Sequence, residues 1–69
     1  MPFITLTPQI LQRVRALHRA ASTHLHAGHA SLASAYRGAA DALRRGDDIT
    51  AEHWLEKADL ERYLLKASA

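Results

Sequence analysis

From Ile10 onward, apolar residues recur at steps of three and four: Ile10, Val14, Leu17, Ala21, Leu25, Gly28, Leu32, Tyr36, Ala39 and Leu43. That spacing marks one face of an α-helix. The stripe repeats after eleven residues, at Ile10, Ala21, Leu32 and Leu43. A period of about 3.67 fits a nearly straight helix better than a tight left-handed coiled coil. Thr7-Pro8 supplies the start, because a Thr hydroxyl can cap free amides and Pro suits the first helical position. Gly28 is the one doubtful link, since glycine costs a helix interior roughly 1 kcal/mol relative to Ala. The alternative is a cap at Gly28, with Ser31 opening a second helix. The stripe passes through Gly28 in register and no Pro, Asn or Asp lies nearby. The pattern therefore predicts one continuous helix over 8–45, with a break at Gly28 as the competing form.

Gly46 ends that helix after Arg44 and Arg45, which suit the negative end of the helix dipole. Residues 46–48 form a turn, and Asp47 and Asp48 suit the positive start of the next helix. This second helix, over 49–67, carries Ala51, Trp54, Leu55, Ala58 and Leu65 as its apolar set, with Leu60, Tyr63 and Leu64 widening the face. Residues 1–7 read differently. Phe3 to Thr7 are β-formers in alternation, so this stretch is expected to be an extended arm or a short strand. The fold class is all-α, in a single helical domain.

Length then implies a partner. At 1.5 Å per residue the first helix would run about 55 Å and the second about 28 Å. The short helix covers only the end of the long one, leaving Ile10, Val14, Leu17 and Leu25 bare. A second copy is the simplest cover. The expectation is a homodimer, with Ile10, Val14, Leu17, Ala21, Leu25, Gly28 and Leu32 as its core.

Composition supports this reading. A chain of 69 residues buries little surface and usually needs a disulfide, a metal or a partner subunit. There is no Cys, which excludes disulfides and thiolate zinc sites. No secretory leader and no run of about 18 apolar residues is visible, so no membrane span is expected and a cytoplasmic place in a bacterial host cell is. Charge is divided unevenly. Residues 1–46 carry six Arg and one acid, a balance of +5, while residues 47–69 stand at −3, which together make the net +2. A basic half of this kind can face an acidic partner.

Candidate chemistry is sparse. His24, His26 and His29 form H-x-H-x-x-H, with His18 before and His53 after. On a helix His24 points away from His26 and His29, and no carboxylate precedes Asp41. Solvated histidines are therefore expected rather than a metal site. Ser22, Ser31, Ser34 and Ser68 lie in no nucleophile motif, and no Gly-rich phosphate loop is present. The reading is of a protein without enzymatic activity, metal or cofactor. Arg and aromatic residues dominate interface energies. The partner-binding candidates are therefore Arg13, Arg15, Arg19 and Arg37, together with Tyr36 and Trp54.

Three resemblances add expectations. Gly46-Asp47, Ala51, Leu55 and Ala58, with Trp-Leu-Glu-Lys-Ala, resemble the turn and second helix of a tetratricopeptide repeat. Ala35 and Ala42 stand where that repeat has large aromatics, and one repeat cannot form a solenoid. An antiparallel helical hairpin is what remains. The order Phe3 to Thr7, Pro8, helix, Gly28, Ser31 resembles a ribbon-helix-helix DNA-binding protein. By that resemblance Phe3, Thr5 and Thr7 would face the major groove, although the strand lacks the basic or amide side chains that read bases. Lastly, the MPFITLTPQILQRV start and the Ala/Arg-rich helices resemble small phage quorum-sensing anti-activators. That resemblance implies a short helical dimer that binds a LuxR-type transcriptional activator and blocks its DNA binding. Anti-CRISPR proteins of similar size, and structural helical adaptors, fit the same outline.

Overall fold

The computed structural model describes residues 7–68, and every element in them is helical: α1 (Pro8–His26), α2 (Ala30–Arg44) and α3 (Asp48–Ala67). The extended arm expected before Thr7 lies outside the described residues. The start of α1 is as the sequence suggests. Thr7 is the N-cap and its Oγ1 accepts a hydrogen bond from the Ile10 amide at 3.2 Å, with Pro8 opening the first turn.

The continuous helix over 8–45 is not what forms. Gly28 takes φ +86° and stops α1. The Gly28 amide donates to the Leu25 carbonyl at 3.0 Å, and the His29 amide donates to the His24 carbonyl at 2.8 Å. These two bonds form the Schellman stop, which needs a left-handed residue and so favours glycine. The chain reverses and α2 runs back along α1. Ser31 is not the cap of α2. His29 holds that position without a side-chain hydrogen bond, and the Ser31 hydroxyl instead donates to Glu61 Oε1 at 2.9 Å.

The reversal also explains the stripe. An apolar row that continues in register through a turn can close on itself as a hairpin. Val14 and Ala21 of α1 are buried within the one chain, together with Leu32, Tyr36 and Leu43 of α2. Ile10 and Leu17 pack against the same clusters. The expected dimer core is therefore largely the core of the single chain. Only Leu25, 51% exposed, and Gly28 stay at the surface. Among the described residues no bare helix of about 55 Å exists, so helix length no longer calls for a second copy.

Gly46 repeats the stop. It takes φ +74°, its amide donates to the Leu43 carbonyl and the Asp47 amide donates to the Ala42 carbonyl. Asp47 then caps α3, accepting from the Thr50 amide at 3.1 Å. The predicted boundaries of this last helix are met to within one residue. α2 and α3 form the expected antiparallel hairpin, with Ala51 packed near Leu43 and Ala42, and Glu61 beside Ser31.

α2 is the middle helix, with α1 and α3 each packed against it. It can be buried on two sides because most of its buried positions are alanine. Ala33, Ala35, Ala39, Ala40 and Ala42 are buried, with Leu32 and Leu43 filling the space between the outer helices. Full burial of one such Leu contributes about 1.5–3 kcal/mol. Gly38 extends the same economy of volume. A Cβ built there would collide with the Trp54 indole, so the α2–α3 contact depends on glycine at that place.

Candidate interaction surface

No helix among the described residues is long and apolar enough to cross a membrane. No group of three or more His, Cys, Asp or Glu side chains among them is placed to hold a metal ion. What remains is surface, and its chemistry differs from helix to helix.

α1 contains no acidic residue, and the only acid on α2 is Asp41. Arg15 and Arg19 lie one turn apart on the exposed side of α1, where they share a shallow depression with Gln12, Ala16 and His18. His18 also borders a cleft of about 270 Å³ between α1 and α2, lined by Ala21, Ser22, Leu25 and Arg37. His18 thus joins the α1 arginines to Arg37 across the helix boundary. Arg44 is seven residues beyond Arg37 and so lies on the same exposed side of α2. Three of the four predicted arginines (Arg15, Arg19 and Arg37) therefore belong to one face.

Arg13 does not belong to it. It lines a different cleft, with Leu43, Asp48, Ala51, Glu52 and Leu55, where it faces the acidic start of α3. The basic half and the acidic half of the sequence meet there, inside one chain. Tyr36 and Trp54 are also turned inward. Tyr36 is buried, with the His24 ring stacked on it at 5.4 Å between centroids and 14° between planes. Trp54 is half-buried over Gly38, with Lys57 Nζ 5.3 Å from its ring centre. Both aromatics serve internal packing, Tyr36 almost entirely and Trp54 with part of its ring left at the surface. His24 is likewise not simply solvated, being stacked on Tyr36, with His29 tilted against it at 6.3 Å.

α3 holds what the sequence reading misplaced. Leu60, Tyr63 and Leu64 do not widen its inner face. They are 58%, 68% and 52% exposed, and Ile49 is 72% exposed. At 100° per residue Leu60 falls half a turn of rotation away from buried Ala51, so the same helix carries apolar side chains on both sides. Leu65 does continue the inner face, but it passes beyond the start of α2 at Ala30 and is left partly bare. A wheel drawn around Ala51 and Ala58 separates the two sets, which was the available signal.

The Asp47 carboxyl is perturbed by the hydrogen bonds it accepts as a cap. Hydrogen bonds from the Thr50 side chain and then its backbone amide hold the carboxyl below its ordinary value, with Arg45 and His53 adding a smaller pull. It is a helix cap rather than a reactive acid. Compared with known proteins, the chain matches no family model, no curated protein and no solved structure.

Proposed function

We propose that the chain is a non-enzymatic protein-binding module that pairs with itself and presents the arginine face of α1 and α2 to an acidic partner. The observation that carries the reading is the convergence of Arg15, Arg19 and Arg37 around His18, on helices whose only acid is Asp41. Arg offers a planar, bidentate donor set that fits carboxylates, and it is prominent among residues that dominate interface energies. The non-enzymatic part rests on the sequence, in which no serine lies in a nucleophile motif. Self-pairing is supported by the bare outer side of α3. Exposed apolar groups gathered on one helix mark interaction sites, and a core made mostly of alanine gains from further burial. In this reading Leu60→Asp turns a dimer into a monomer in light scattering, and an unchanged mass would remove α3 from the interface.

The finer version is a phage or mobile-element inhibitor of a bacterial host protein, and a LuxR-type quorum-sensing activator is the first partner class to test. It rests on the resemblance of the opening segment and the Ala/Arg-rich helices to anti-activators. The assay is a gel shift of such an activator on its operator, with the chain added. Loss of the shifted band, restored by Arg15→Glu with Arg19→Glu, supports the reading. An undiminished band sets that partner class aside.

One observation favours a second reading, of a DNA-binding repressor. The chain does turn at Gly28, between two helices as in the ribbon-helix-helix order, although the 19-residue α1 is several residues longer than that order has. Binding to duplex DNA that falls steeply with added salt, and is lost on Thr5→Ala with Thr7→Ala, would place it first.

A further inference from the structure

The arginine face is not uniformly basic, and its apolar members are regularly spaced. Along the exposed side of α1 that borders α2 the order is Leu11, Arg15, His18, Ser22, Leu25, in steps of four, three, four and three. Such steps keep side chains on one face of a helix. The two leucines stand at its ends, 36% and 51% exposed. Fourteen residues separate them, which is about 21 Å along the helix axis. Across the cleft, α2 supplies Arg37 next to His18. The antiparallel packing that joins Val14 to Ala40 and Leu43 carries Arg44 toward the Leu11 end. The face is thus a trough with an apolar foothold at each end and Arg15 and Arg37 along its middle, with Asp41 between Arg37 and Arg44 on the α2 side leaving a net positive balance.

We propose that this trough receives an amphipathic acidic helix, with apolar side chains about four turns apart and carboxylates between them. The inference rests on the protein-binding reading above and specifies the ligand. Charge complementarity selects the acidic middle. The leucines separate a helix from a phosphate backbone, because a nucleic acid backbone has nothing to place on Leu11 and Leu25. An amphipathic helix laid in a groove uses anchors at this kind of spacing. A second copy is the competing occupant, because the outer side of its α3 carries Glu56 and Asp59 beside exposed Leu60 and Tyr63. A dimer in light scattering that Arg15→Glu with Arg37→Glu turns into a monomer would overturn the separate-partner proposal.

The test uses the full chain and three labelled probes in fluorescence anisotropy. One is a synthetic helix of about 18 residues with Leu at both anchor positions and Glu between, spanning the trough. The second is the same peptide with both Leu replaced by Ala. The third is a duplex oligonucleotide. The expected result is binding of the leucine peptide at least about tenfold tighter than the alanine peptide, since each half-buried Leu adds a hydrophobic contribution. That preference should vanish in Leu11→Ala with Leu25→Ala, whereas Arg15→Glu with Arg37→Glu should abolish binding of both peptides. Equal binding of the two peptides, or binding of neither, overturns the helix proposal and leaves the protein-binding reading to stand on its own partner assay. Preference for the oligonucleotide overturns both.

Discussion

Substituting Gly38 by Ala should destabilise the protein, against the usual direction for a glycine in a helix. Gly38 lies in the interior of α2, and a Gly→Ala change at an open helical site stabilises by about 1 kcal/mol. Here the added methyl meets the fused edge of the Trp54 indole, closer than real Cβ contacts come. The atoms met belong to the rigid middle of the ring, so the ring must tilt or the helices must part. Forced overpacking of this kind costs about 1–3 kcal/mol. The two effects together leave a net loss of about 0–2 kcal/mol. For a domain of this size that lowers Tm by up to about 16 °C, at roughly 4–8 °C per kcal/mol. The decisive comparison is Gly38→Ala made in a Trp54→Leu background, where the flexible side chain gives way. There the helical preference should return and Tm should rise. Thermal melts followed by circular dichroism supply both numbers, and their difference is the coupling between the two positions. If Gly38→Ala raises Tm equally in both backgrounds, the close packing of α3 on α2 is wrong.

Gly28→Ala should also destabilise, by about 1–2 kcal/mol, because its φ of +86° is left-handed while nothing lies near its missing Cβ. A helix running straight through residue 28 would instead be stabilised, so the sign alone separates the two folds. Asp47→Asn should remove a pH dependence. The Thr50 hydrogen bonds depress the Asp47 pKa in the folded state. Their contribution is therefore present above the ordinary aspartate value and lost as pH falls through the lower folded one. Melts across that acid range should show wild type and variant converging as pH drops. Parallel curves would contradict the assignment.

Much of the fold was legible in the sequence. Thr7-Pro8, Gly46 and Asp47 are local signals that depend on no distant contact, and each does what its chemistry suggests. Gly28 was harder because the apolar row does not change phase across it. Periodicity records which side is apolar and is silent on whether the chain reverses, so a hairpin and a straight helix leave the same trace. The uncovered stripe was itself a clue, since folding at Gly28 covers it without a partner. For the interaction surface, the arginines were legible as residue types. Their grouping was not, because Arg13 and Arg15 are only two residues apart in sequence but lie on different sides of α1. The aromatics misled for a related reason. Tyr36 and Trp54 have the character of interface anchors, yet an alanine-rich core leaves space that large rings fill from within.

The most direct test of the account is affinity capture from nuclease-treated bacterial lysate, comparing the wild-type chain with an Arg15→Glu, Arg19→Glu, Arg37→Glu variant of matched helicity. The account predicts one or a few proteins with an acidic surface, retained by the wild type and lost from the variant. The same proteins retained by both chains, or none retained by either, would contradict it.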